Sequence, residues 1–243
     1  MSSTLLQPAH PATAALSRVI PVTHLACPLP LDDLFDPARP LEVEIGCGNG
    51  RFLAARASSQ PETQYLGIER MLGRVRKIDR KANRLALDNL RILRLEAFYT
   101  FYYLLPRHRL RTVYVFFPDP WPKRRHHSRR LFSPLFLDAL WARLIMGGTI
   151  EVATDHTHYF DEIRANFAAD PRFEEIPAMT RSSAEQTDFE RLFRDQGLPI
   201  GQCAYRTLPA EEPSLAPLTI DPEMEPRGEV PDDLNESASA EVM

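Results

Sequence analysis

Asp119 lies between Pro118 and Pro120, directly after the apolar run Val113 to Phe117, and Trp121 follows it. Proline fixes its own φ and steers the residue before it away from helix, so Pro118-Asp119-Pro120 is stiff and extended. A stiff carboxylate at the end of a strand is pre-positioned to accept hydrogen bonds from a ligand. Trp121 offers a ring to stack on a base, and equally an indole to cover the edge of a core. Next comes Lys123-Arg-Arg-His-His-Ser-Arg-Arg130, five Lys or Arg and no acid in eight residues. Such density suits a polyanion, and phosphate contacts of this kind position a nucleic acid without reading its sequence. His126 and His127 have no acid or cysteine at ligand spacing, which argues against a metal site.

A second constellation is Glu42-Val-Glu-Ile-Gly-Cys-Gly-Asn-Gly50, three glycines between a strand candidate and a helix candidate. Gly46, Gly48 and Gly50 permit a sharp turn and let a ligand touch the backbone. The spacing is GxGxG followed by Arg51, unlike the GxGxxG that brings a pyrophosphate to a helix N-terminus. Glu69 ends the second strand, 23 residues after Gly46. There it either accepts hydrogen bonds from both ribose hydroxyls of a nucleoside cofactor or caps the following helix. Glu96 follows the third strand where adenine would lie, and read alone it is a surface acid. Asp155, at the end of the fifth strand, is expected to face the same cleft as Asp119. Thr187-Asp188-Phe189-Glu190 has the spacing of a capping box, Thr187 capping a helix and Glu190 reaching back to the cap amide.

These residues need a scaffold that gathers strand ends. From Leu41 to Arg206 short apolar runs alternate with amphipathic stretches, the signature of a mostly parallel sheet with helices on both faces. Strands are expected at 41–45, 64–68, 90–95, 112–117 and 149–154, with helices at 51–59, 70–88, 98–105, 134–145 and 157–168. A strand at 173–176, a helix at 188–196 and a strand at 200–206 follow. The 243 residues, 44% hydrophobic and 26% charged, suit one soluble domain with extensions. That domain is placed at 41–208, after a proline-rich N-terminal extension (1–40) and before an acidic tail (209–243). Residues 210–243 hold ten Asp or Glu against one Arg, a net of −9, which leaves +5 on residues 1–209 of a chain at −4. The tail reads as disordered, able to compete weakly with RNA for the basic face. No apolar span reaches membrane length and no signal peptide begins the chain, so the expected location is cytoplasmic. Cys27, Cys47 and Cys203 form no CxxC pair and read as reduced structural thiols.

Taken together, these motifs resemble the tRNA (guanine-N7-)-methyltransferase family over about residues 41 to 206, most specifically in FPDPWPKRRHHSRR. The resemblance implies an α/β, Rossmann-like class I methyltransferase sheet of seven strands. It implies S-adenosyl-L-methionine as cofactor and N7 of guanine 46, in the variable loop of tRNA, as acceptor; the sequence leaves monomer or homodimer open, and no metal is expected. Glu44, Gly46, Gly48, Glu69, Glu96 and Asp119 would border the cofactor, with Asp119 also the catalytic residue. Lys123, Asp155, Thr187, Asp188, Phe189 and Glu190 would contact the tRNA. Glu96 stands where aspartate or asparagine is expected. A small-molecule methyltransferase would leave Lys123 to Arg130 unused, a non-catalytic RNA-binding module would leave the glycine turn unused, and a nicotinamide dehydrogenase is the weakest rival, given the glycine spacing and the absence of a hydride-transfer constellation in this chain.

Overall fold

The computed structural model describes residues 17–22, 25 and 27–215. Most of the acidic tail and residues 1–16 of the N-terminal extension lie outside them. Within the described residues the chain forms β1 (Leu41–Ile45), α1 (Arg51–Ser59), β2 (Gln64–Ile68), α2 (Leu72–Arg84) and β3 (Leu90–Leu93). Then come α3 (Ala97–Tyr99), which runs into a π-helical turn at Thr100–Leu104, β4 (Leu110–Phe116), a 3-10 turn at Arg124–Arg129 and α4 (Pro134–Arg143). The last elements are β5 (Leu144–Thr154), α5 (Thr157–Ala168), β6 (Phe173–Ile176), α6 (Asp188–Asp195) and β7 (Gly201–Thr207).

The strands form one sheet in the order β3-β2-β1-β4-β5-β7-β6, in which only β7 runs antiparallel to its neighbours. All five residues of β1 are buried. Their side chains alternate, Glu42 and Glu44 to one face and Leu41, Val43 and Ile45 to the other, and a parallel strand buried on both sides needs helices on each. On the Glu44 face, Leu53, Ala54 and Ala57 of α1 and Val75, Ile78 and Ala82 of α2 pack around Tyr65. The strand order reverses between β1 and β4, and in open α/β sheets ligands bind outside the carboxyl ends of strands at that point.

Differences from the expected boundaries have local causes. α2 stops at Arg84 rather than 88 because Ala86 takes a left-handed φ of 51°. β5 begins at Leu144, inside the expected helix, because Leu144 pairs with Leu110 and the register then shifts before Thr149. Gly147, at φ 75°, lies in the irregular stretch between. Before Leu41, Val19 bridges Ile92 on β3, and Leu29, Leu31 and Phe35 are buried.

Candidate active site

The turn after β1 is built from left-handed glycines, Gly46 at φ 67° and Gly48 at 54°. A Cβ added at Gly46 would meet nothing within 4 Å, and at Gly48 only the Gly46 carbonyl oxygen at 3.9 Å. Glu69 fixes this turn: its Oε2 accepts from the Gly48 amide at 3.0 Å and its Oε1 from the Met71 amide at 2.9 Å. A carboxylate has about four acceptor positions, so both oxygens keep capacity for a further donor. Glu44 is buried beside Gly67 and Tyr114, and its Oε2 has no hydrogen-bond partner among the described residues. Burial first, then the Glu69 charge, push its pKa from 4.5 up to about 8, against the pull of the Leu53 amide, Lys81 and Arg181. Glu96 caps α3, accepting from the amides of Phe98 at 2.9 Å and Tyr99 at 2.6 Å.

Across the strand reversal, the Pro-Asp-Pro loop leaves β4 between two left-handed residues, Phe117 at φ 53° and Trp121 at 44°. They are two of the four non-glycine residues with positive φ among the described residues. Such conformations cost about 1–3 kcal/mol each and persist only where the surroundings impose them. Here the surroundings are identifiable. The Phe117 amide donates to the Ala153 carbonyl at 2.7 Å, and its ring lies 5.5 Å from Phe193 and 6.2 Å from Phe189 on α6. Arg130 holds the far side: its Nε donates to the Pro120 carbonyl at 2.8 Å, its guanidinium lies 4.8 Å from the Tyr159 ring and it pairs with Glu162. Asp119 itself is exposed and has no hydrogen-bond or ion-pair partner among the described residues.

The basic run therefore divides. Lys123, Arg124, Arg125 and Arg129 are exposed, whereas Arg130 is buried and braces the loop. Trp121 is half-buried, with the Arg129 guanidinium 5.0 Å from its ring and His126 edge-on at 5.8 Å.

The segment around α6 closes the crevice. Asn49 in the glycine turn donates to Asp188 at 3.2 Å, and Arg51 Nε donates to the Gln186 carbonyl at 3.0 Å. Thr187 caps α6 as the spacing predicts, accepting from the Glu190 amide at 3.0 Å. Glu190 does not complete the capping box. It is fully buried and accepts from Arg181 Nε at 2.7 Å and from Arg194 Nε at 3.0 Å. Arg181, which no motif marked, lies with its guanidinium 4.4 Å from the Phe116 ring, and its Nη2 is buried without a partner among the described residues. Asp155 is exposed at the end of β5, lining a cavity of about 230 Å³ with Thr157, Phe160 and Ile200. A larger cavity of about 320 Å³, lined by Arg164, Asp170 and Tyr205 among others, includes none of the residues discussed above. The glycine turn, Glu69, the Pro-Asp-Pro loop and the cap of α6 are thus joined by direct contacts, while Glu96 and Lys123 stand on separate elements at the same sheet edge.

A family model described as "Putative methyltransferase" matches residues 38–203, spanning both the glycine turn and the Pro-Asp-Pro loop. The tRNA (guanine-N(7)-)-methyltransferase of Halorhodospira halophila is 39% identical over 187 residues, covering 74% of this chain and 80% of that protein. The protein of the same description from Alkalilimnicola ehrlichii is 36% identical over 183 residues, covering 74% and 77%. Among solved structures, that of the 16S rRNA methyltransferase KamB superposes with a TM-score of 0.57 at 16% identity, covering 74% of this chain and 93% of that one, a likeness of fold. With a seven-stranded class I methyltransferase sheet, and sequence identity that runs through most of its length, the chain belongs to the tRNA (guanine-N(7)-)-methyltransferase family.

Proposed function

We propose that this chain transfers a methyl group from S-adenosylmethionine to N7 of guanine 46 in the variable loop of tRNA, at the crevice between β1 and β4. The observation that carries the reading is Asp119, an unpartnered carboxylate fixed between two left-handed residues beside a glycine turn and an exposed basic run. The residues fit the cofactor. The backbone at Gly46 and Gly48 is open to a ligand, and Glu69 has acceptor capacity for ribose hydroxyls. Two buried polar groups, Glu44 Oε2 and Arg181 Nη2, lack partners among the described residues; a ligand ammonium beside Glu44 would draw off its proton and a ligand carboxylate would meet Arg181, which suits an amino-acid end. A buried polar group without a partner costs about 1–3 kcal/mol, so both gain from such a ligand. Glu96, already engaged as a cap, is left one acceptor position per oxygen for adenine.

S-Adenosylmethionine supplies an electrophilic methyl carbon on sulfonium. N7 of guanine carries a lone pair and no proton, so no residue has to act as a base. The protein's task is alignment, which is worth several orders of magnitude in rate, and stabilisation of the purine as it becomes cationic. Asp119 accepts hydrogen bonds from guanine N1–H and N2–H, which adenine cannot offer in that pattern, and so selects and orients the base. Lys123 and the exposed cations after it grip phosphates. Asp155, Thr187, Asp188 and Phe189 contact the tRNA, whereas buried Glu190 holds Arg181 in place on the cofactor side. The target nucleotide leaves its tertiary contacts to enter the site.

The test is incubation with labelled S-adenosylmethionine and unmodified tRNA, followed by nucleoside analysis and mapping of the modified position. 7-Methylguanosine at position 46 is expected, and none from tRNA carrying adenine there. Asp119→Asn is expected to lower kcat by about 100-fold at neutral pH. Near-wild-type methylation by that variant would remove Asp119 from its role, 7-methylguanosine elsewhere would overturn the position, and no methylguanosine together with no cofactor binding would overturn the activity.

A further inference from the structure

We propose that the exposed side of α2 is a second contact surface for the tRNA backbone, separate from the loop that meets the reacting guanine; the inference rests on tRNA being the substrate. From Arg70 to Arg84 the chain carries seven Lys or Arg and one acid, Asp79. The apolar residues Val75, Ile78 and Ala82 recur at helical spacing and are buried, which turns Arg76, Lys77, Arg80 and Arg84 to the exposed side. Arg76, Arg80 and Arg84 follow one another at i, i+4, as do Lys77 and Lys81, and like charges at that spacing destabilise a helix. Asp79, the one acid among them, forms no ion pair with these cations; it accepts from the Arg18 amide at 2.7 Å and from Asn83 Nδ2 at 3.3 Å.

Several cations elsewhere are paired with acids. Arg18, Arg107, Arg109, Arg164, Arg172 and Arg206 each have an acid partner within 4 Å. On α2, Arg74 reaches Glu69 at 3.7 Å and Lys81 donates to the Asn49 carbonyl at 2.7 Å. Arg70, Arg76, Lys77, Arg80 and Arg84 have no acid partner among the described residues. The helix starts at the mouth of β2, where Arg94 Nε donates to the Arg70 carbonyl at 3.4 Å. It therefore begins on the opposite side of the glycine turn from Lys123 to Arg129, which follow β4. Its 13 residues extend about 20 Å. RNA whose guanine sits at Asp119 and whose backbone crosses the glycine turn meets this row of charges. An anionic membrane is the weaker partner, because the apolar stripe of α2 is already buried against the sheet and has nothing to insert.

The experiment replaces four exposed cations together, Arg76→Gln, Lys77→Gln, Arg80→Gln and Arg84→Gln, in the full chain. Binding of tRNA is then measured across a salt series, beside S-adenosylmethionine binding and thermal stability. The expected result is tRNA affinity weakened at least about tenfold at 0.1 M salt, and a slope of log affinity against log salt reduced by about 3. Cofactor affinity and kcat at saturating tRNA stay near wild type. The charge-keeping set Arg76→Lys, Arg80→Lys and Arg84→Lys retains the wild-type slope. If the fourfold variant loses cofactor binding, Lys77→Gln and Arg80→Gln singly replace it, each expected to lower the slope by about 0.8. Unchanged slopes, or a loss seen only with phosphatidylserine vesicles, overturn the inference. Wild-type protein that methylates tRNA while the variants keep its slope overturns this surface alone; wild-type protein that does not methylate tRNA overturns the function on which it rests.

Discussion

Glu44 has the strongest link between position and chemistry of any single residue in the crevice. Its pKa is raised to about 8 in the folded protein against 4.5 for the ordinary side chain, so at neutral pH it holds a proton that the unfolded chain releases. A raised folded pKa contributes stability fully present below 4.5 and lost as pH rises through about 8. The protein without ligand should therefore unfold at progressively lower temperature between those limits, and Glu44→Gln, which stays neutral, should flatten the decline. Cofactor binding runs the other way. A ligand ammonium beside Glu44 favours the carboxylate, so affinity should rise by up to about tenfold per pH unit below 8 and level off above it. Calorimetric titration of S-adenosylmethionine at several pH values checks this, and a wild-type profile as flat as that of Glu44→Gln would detach Glu44 from the ligand. The glycine turn and Glu69 were legible because their spacing is local to two strand ends. Arg181 was not, because its meaning comes from Glu190 and Phe116, which lie far from it in sequence or in another element.

At the level of elements, the Pro-Asp-Pro loop is held by groups on α5, α6 and β5 rather than by its prolines alone. Arg130 is the brace that the sequence disguises, since it closes a run of cations and looks like the rest of them. Its side chain is 2% exposed, whereas its partner Glu162 is 32% exposed, so solvent weakens the pair and the carbonyl and ring contacts carry much of its effect. Arg130→Ala should lower stability by roughly 2 kcal/mol and lower kcat for tRNA methylation more than it changes cofactor affinity. Arg130→Lys should recover part of the stability and little of the rate, because one ammonium cannot serve the Pro120 carbonyl, Glu162 and the Tyr159 face together. Thermal melts with steady-state kinetics below the melting range separate the two effects, and wild-type kcat in Arg130→Ala would end this assignment. The strands themselves were readable from apolar runs, as in Leu41–Ile45 and Gln64–Ile68. Their ends were less so: Ala86 and Phe117 change the chain's course through left-handed backbone that their residue types do not announce.

For the whole molecule, the alternation of strands and helices made the sheet legible, but not the strand order, because the reversal beside β1 is a matter of which strands pair across long separations. The packing of Leu29, Leu31 and Phe35 was not legible, because these residues sit in a proline-rich stretch without a helical or strand period and owe their burial to tertiary contact. Charge was legible throughout. The chain divides after Pro213, and residues 214–243 hold eight Asp or Glu against one Arg, a net of −7 that leaves +3 on the remainder of a chain at −4. The sign of the long-range field felt by a tRNA thus depends on whether that segment is attached. Charged surfaces steer polyanions at low ionic strength, and salt screens them beyond about 10 Å at 0.1 M. Removing residues 214–243 should speed tRNA association severalfold at low salt and leave it unchanged at high salt, with kcat at saturating tRNA unaltered. Stopped-flow mixing with fluorescently labelled tRNA at two ionic strengths measures the difference. Equal association rates at low salt would mean that the acidic segment has no hold on the approach, and that the local cations of α2 and of Lys123 to Arg129 govern it alone.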